Sequence, residues 1–168
     1  MLMCRLQCLI LLCLPLAAHS NPVVIGGKNF TENYILAEAS AQLLEANGYE
    51  VERRFGMNGT KIAYAAVENG AIDFYPEYTG TISEVILTRP ELVELPDIRE
   101  ALADRELILL PPLGFNNSYA IAVTSQFGEE HGLRRISDLA GRNSLRFGLP
   151  HEFLNRGDGW PGLKQHYG

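Results

Sequence analysis

The sequence has three cysteines, and Cys4, Cys8 and Cys13 all fall within its first twenty residues. From Asn21 onward there is none. That stretch therefore has no disulfide framework, no thiol nucleophile and no cysteine-based metal site. Long apolar runs are equally scarce. The longest, Leu6–Leu16 with Gln7 inside it, falls short of the ~20 residues a membrane-spanning helix needs. There is no basic stripe either, only the doublets Arg53-Arg54 and Arg134-Arg135 in a chain of net charge −6. Nucleic-acid partners, gripped through their phosphates, want such a stripe and are set aside. Catalytic signatures are missing too. There is no Gly-x-Ser-x-Gly elbow and no Walker loop. Gly26-Gly27-Lys28 resembles the start of a phosphate loop without its spacing. The four histidines, His19, His131, His151 and His166, include no pair at helical metal-ligand spacing. Asp73 and Glu77 form a candidate acid/base pair, but read more simply as a strand-end and a turn carboxylate. No enzyme, no cofactor and no metal is implied.

What is present is an ordinary globular composition over 168 residues, with 46% hydrophobic and 20% charged positions. That suits about one domain and argues against a disordered chain. Residues 1–20 stand apart. Arg5, the apolar run and Ala17-Ala18-His19-Ser20 have the anatomy of a cleaved signal peptide, with Ala18 and Ser20 at the −3 and −1 positions. Cys13 follows Leu12 rather than a small residue, which argues against a lipoprotein. Loss of Arg5 would move the net charge from −6 to −7. An exported, acidic product is expected.

The remainder alternates strands and helices. Val23-Val24-Ile25 reads as a buried strand and Gly26-Gly27 as a turn. Asn29 with Glu32 suggests a capping box for a helix from about Phe30 to Asn47. Ile35, Ala39, Leu43 and Ala46 are its expected inner face. Tyr49–Phe55 alternates as a strand nearer an edge. A second helix is expected over Lys61–Asn69, with Ile62, Ala65, Ala66 and Val67 inward. Ile72–Tyr75 reads as a strand, Thr81–Leu87 as a helix, and Asp97 as the cap of a helix to about Arg105. Further strands are expected at Leu107–Leu110, Ser118–Thr124 and Leu145–Leu149. Helices are expected near Phe127–His131, from Ser137, and over Pro161–Tyr167. Such alternation implies an α/β fold with a mainly parallel sheet.

Two loops at strand ends are rich in aromatic residues: Tyr75-Pro76-Glu77-Tyr78-Thr79-Gly80-Thr81 and Phe115-Asn116-Asn117-Ser118-Tyr119. Ligands of open α/β sheets bind beyond strand carboxyl ends. Tyrosine faces placed there suit a cation, although tyrosine at strand ends is more often packing. These loops, together with Gly27-Lys28-Asn29-Phe30-Thr31-Glu32 and His151-Glu152-Phe153-Leu154-Asn155-Arg156-Gly157-Asp158-Gly159, resemble the glycine betaine/carnitine/choline-binding proteins. Those are the substrate-binding components of osmoprotectant ABC transporters. The resemblance runs from about Val23 to Gly168.

It implies a two-lobed periplasmic-binding-protein (type II) fold. Residues 21–113 would form the first lobe, 114–125 the crossover, and 126–168 the start of a second lobe that is incomplete here. It further implies an aromatic cage between the lobes. Tyr78 and Tyr119 match cage tyrosines, and Thr81 and Asn33 match polar contacts to the ligand's other end, with Asn33 where many relatives carry Gln. Asn117 is a further ligand-binding candidate, and Arg156 and Asp158 resemble structural or lobe-closing residues. The implied partners are a quaternary ammonium ligand and the permease and ATPase subunits of an importer, with a periplasmic location. Competing readings are a non-functional fragment, a ligand-sensing lobe that needs a partner chain, and an exported α/β enzyme.

Overall fold

The computed structural model describes residues 21–142 and 144–168. The expected signal segment lies outside the described residues. Strand β1 (Val23–Lys28) pairs in parallel with β2 (Val51–Met57), Val23 opposite Val51 and Lys28 opposite Met57. The register shifts between Gly26 and Lys28, where Gly56 of β2 takes φ +81°, a left-handed conformation that glycine adopts without strain. Gly26 and Gly27 make no turn. They lie within β1, where a Cβ on Gly27 would stand 3.0 Å from Phe55 and 3.2 Å from Ala37. Their function is close approach of strand, helix and neighbouring strand.

Helix α1 (Thr31–Ala46) crosses between β1 and β2. Phe30, not Asn29, is its N-cap, and no side chain caps it. Asn29 is engaged elsewhere: its N–H donates to Met57 O and its amide to Asn58, joining the ends of the two strands. The inner face of α1 is Asn33, Ala37 and Ala41 rather than the expected row, and Ile35 and Leu43 are exposed. Small residues let the helix lie close to the strands, so Ala37 and Ala41 pack with Ile25, Val51, Phe55 and Phe74.

Helix α2 (Thr60–Glu68) likewise buries Thr60 and Ala63 and exposes the expected Ile62. Ile72–Tyr75 passes on the other side of β1. It makes a single parallel bridge, Ile25 with Phe74, supported by Gly26 N to Phe74 O at 2.8 Å and Asp73 N to Val24 O at 2.7 Å. The segment after it begins as α3 (Thr79–Thr81) and continues as a π-helical turn over Ile82–Leu87. Helix α4 (Leu95–Ala103) follows with Glu94 as its N-cap. Asp97 and Pro96 sit inside its first turn, where proline's missing N–H costs nothing. Ile82, Leu87, Leu92, Ile98 and Leu102 form a second small core.

The three later strands expected from the sequence do not form ladders among the described residues, whose one sheet is β1 with β2. A strand requires a neighbour that offers amides and carbonyls at matched spacing, and no such neighbour lies alongside them. Leu107 and Leu109 pack against the second core, while Ile108 is 87% exposed. The alternation is that of a strand with one face covered. Beyond it come α5 (Ser125–Glu130), capped by Thr124 Oγ1, and a 3₁₀ turn at Ile136–Leu139 where a helix from Ser137 was expected. Two helices complete the order: α6 (His151–Asn155), which the sequence reading did not foresee, and α7 (Trp160–Tyr167), with Pro161 in its first turn as expected. Among the described residues no helix is long and apolar enough to cross a membrane.

Candidate functional site

The carboxyl end of β1 is where the polar groups of the first hundred residues converge. Lys28 ends the strand and is only 2% exposed. Its ammonium donates to Glu77 Oε1 at 2.6 Å and reaches Thr60 Oγ1 at 3.4 Å. Glu77 Oε1 also accepts from Tyr78 N at 3.0 Å, and Oε2 is buried without a hydrogen-bond partner. Burial pushes the Glu77 carboxyl above the ordinary carboxylate range, against the pull of Lys28 and the Tyr78 N–H. Burial, and then the Glu77 charge, pushes the adjacent Tyr75 phenol up.

Asn33 holds the floor of this cluster. Its Oδ1 accepts from Lys28 N at 2.6 Å, and its Nδ2 donates to Pro76 O at 2.9 Å. At 1% exposure both groups are engaged with backbone, tying the end of β1 to the loop that carries Glu77 and Tyr78. Asp73 does not join Glu77. It accepts from Val24 N at 2.6 Å at the other end of the strand, so the candidate acid/base pair is not formed.

Arg156, just past α6, reaches back to α3. Its Nη1 donates to Thr81 Oγ1 at 3.0 Å. Nε and Nη2 hold Asp158 in a two-point pair at 2.7 and 2.6 Å, which raises the guanidinium's pKa further. The guanidinium carbon lies 5.8 Å from the centre of the Tyr119 ring, and Tyr119 packs against Phe153 at 4.7 Å. Tyr78 faces the other cation: Lys28 Nζ is 5.5 Å from its ring centre and 5.9 Å from that of Phe30. Burial raises the pKa of both tyrosines. Asn117 lies at the rim, donating to Glu32 at 2.6 Å. A further link closes the cluster, Thr60 Oγ1 to Glu152 Oε1 at 2.8 Å, joining α2 to α6.

Thr81, Tyr119, Arg156 and Asp158 are thus brought into direct contact, with Tyr78 one helical turn before Thr81. Asn33 holds the loop at Pro76, two residues before Tyr78, and Asn117 holds Glu32. Lys28 and Phe153 were not among the sequence candidates, and Glu77 entered only as a partner for Asp73. The usable signal was Lys28 itself: a lysine closing an apolar strand is buried, and a buried ammonium needs a carboxylate. Among the described residues no group of three or more His, Asp or Glu is placed to hold a metal ion. A separate cavity of about 860 Å³ meets this cluster through Tyr119, Phe153 and Asp158. It extends among Phe127 of α5 and Val123 and Phe147 of the extended segments that lack ladder partners.

Residues 21–168 match the family described as the substrate binding domain of ABC-type glycine betaine transport systems. The chain is 34% identical over 169 residues to the glycine-betaine-binding protein of Pseudomonas aeruginosa, covering 90% of this chain and 53% of that protein. It is 32% identical over 156 residues to the ergothioneine transport permease/ergothioneine binding protein EgtU of Helicobacter pylori, covering 90% and 28%. Among solved structures it resembles apo YehZ from Escherichia coli, with TM-score 0.56, 26% identity and coverage of 89% and 57%. A glycine betaine/carnitine/choline ABC transporter structure, at TM-score 0.61 and 24% identity over 86% and 57%, shares the fold. The chain therefore spans about half the length of most of these relatives, and less of EgtU. Its α/β architecture is that of the periplasmic binding proteins. The shared fold and the match over 21–168 make this chain a member of the substrate-binding domain family of ABC-type glycine betaine transport systems, a family of solute binders rather than enzymes.

Proposed function

We propose that the chain supplies the ligand-capturing part of an extracytoplasmic solute-binding protein for betaines and related quaternary ammonium compounds, which it passes to the permease of an ABC importer. The observation that carries this reading is the Arg156–Thr81–Tyr119 cluster beside Tyr78 at a strand carboxyl end. A trimethylammonium group donates no hydrogen bond, so ring quadrupoles recognise it, each adding ~0.5–2 kcal/mol according to desolvation. Tyr78 and Tyr119 are the rings proposed for it. A carboxylate at the ligand's other end suits the Arg156 fork. Arginine has five N–H donors. Asp158 and Thr81 occupy three of them, which leaves two for a ligand. The Thr81 hydroxyl, accepting from Arg156, keeps its own proton free to donate. Asn33, with both polar groups on backbone, fits a role beneath the ligand rather than against it.

The names of two relatives support the same ligand chemistry, since glycine betaine and ergothioneine both join a trimethylammonium group to a carboxylate. In this reading residues 1–20 direct export to the periplasm and are removed. Residues 21–113 form the first lobe, 114–125 cross over, and 126–168 open the second. Arg156 and Asp158 then contribute to lobe closure, which excludes water from the cage. Calorimetric titration with glycine betaine, choline, carnitine and proline betaine tests the reading. Heat of binding is expected from at least one of them, with the ligand recovered unchanged. A folded sample that gives no heat with any of the four overturns it.

A further inference from the structure

The ligand chemistry above leaves one buried charge pair unused. The Lys28 ammonium lies 5.5 Å from the ring of Tyr78, one of the two rings assigned to the ligand's cation. A bare ammonium there would repel a second cation at short range in a site from which water is largely excluded. Glu77 prevents this. Its carboxylate sits 2.6 Å from Lys28 Nζ, with side-chain exposures of 6% and 3%. Glu77 also accepts from the Tyr78 N–H, so the same carboxylate oxygen touches the lysine and holds the backbone of the ring. Among the described residues no other carboxylate is bonded to Lys28. Glu152 is one hydroxyl away, through Thr60, and the Tyr75 phenol and the Tyr78 N–H also act on Glu77.

We propose that Glu77 is the residue that sets the charge preference of the site. With its carboxylate in place, the Lys28–Glu77 pair is neutral and Tyr78 accepts a quaternary cation. Without it, the uncompensated Lys28 makes the site favour ligands that bring their own negative charge. This rests on the ligand reading above and deepens it. Choline and glycine betaine report the difference, because both carry the trimethylammonium group and only glycine betaine adds a carboxylate.

The test is calorimetric titration of the parent chain, Glu77→Gln and Lys28→Met with both ligands. In Glu77→Gln, choline affinity is expected to fall at least about tenfold further than glycine betaine affinity. In Lys28→Met the choline-to-betaine preference is expected to move the other way, by about fivefold or more. The two variants carry opposite charge changes at one pair. A shared loss of packing would weaken both ligands alike and leave the preference where it was. That result in either folded variant overturns the assignment of Glu77 while leaving the binding function standing. A folded parent chain that binds neither ligand overturns the assignment of Glu77, and the binding function falls with it when carnitine and proline betaine also give no heat.

Discussion

Arg156 donates to Thr81 across 75 residues of sequence, 3.0 Å from Nη1 to Oγ1, and this bond fixes the late Arg-Gly-Asp loop on the early Tyr-Thr-Gly-Thr loop. Asp158 holds the guanidinium plane by its other edge. The guanidinium is therefore held in one orientation at 7% exposure, so the ligand contact proposed for it would cost no rotamer freedom.

Arg156→Lys should weaken glycine betaine binding by about 10- to 100-fold, the range expected for losing a charged hydrogen-bond fork. Choline, which has no carboxylate, should lose less. Parallel calorimetric titrations of the two ligands check this, and equal losses would assign Arg156 to structure alone.

Asn33→Ala leaves the Lys28 N–H and the Pro76 carbonyl without partners in a site only 1% exposed. Each orphaned group costs about 1–3 kcal/mol. A loss of about 2–6 kcal/mol in urea unfolding is expected. A loss below about 0.5 kcal/mol would show that water replaces the amide.

Tyr78→Ala and Tyr119→Ala should each lower quaternary ammonium affinity by about 0.5–2 kcal/mol or more, as lost ring faces. Tyr49, from the same sequence class, is 56% exposed and remote from the cluster. Tyr49→Ala should leave affinity unchanged and stability within about 0.5 kcal/mol. Affinity measurements on all three variants, beside their thermal midpoints, separate ring loss from general loosening.

Acidification should act on Glu77 with a definite sign. Its folded pKa is raised by burial, so the folded protein binds this proton more tightly than the unfolded chain does. The associated stability is fully present below the ordinary carboxylate value and is lost as pH rises through the raised one. Glu38, Glu45, Glu91 and Asp138 have lowered pKa values and act in the opposite direction, so the parent's own curve mixes both signs. The difference in thermal midpoint between parent and Glu77→Gln isolates the one group. The parent should gain relative to the variant as pH falls through that window. A relative loss would mean that Lys28 dominates and Glu77 is ionised throughout.

Much of the first hundred residues was legible from periodicity, and the misreadings have a common cause. The inner face of α1 is marked by Asn33, a polar residue, and by two alanines. Counting large apolar residues selects Ile35 and Leu43 instead, which the helix turns outward. Proximity to β1, where Gly27 faces Ala37, excludes the larger side chains. The late strands were misread for a different reason. Leu107–Leu110 has a strand's alternation, but pairing belongs to two segments at once, and a single run carries no record of its neighbour. In the site, Thr81, Tyr119 and Arg156 were legible only through their motifs. The Lys28–Glu77 pair was not, because 49 residues separate its members and only the parallel crossover brings them together.

The most direct test of the cage is a nuclear Overhauser measurement between the trimethylammonium protons of bound glycine betaine or choline and the aromatic protons of the chain. Contacts to the rings of both Tyr78 and Tyr119, each lost in the matching alanine variant, are the expected result. Contacts confined to Phe127 and Phe147, in the neighbouring 860 Å³ cavity, would place the ligand elsewhere and contradict the cage.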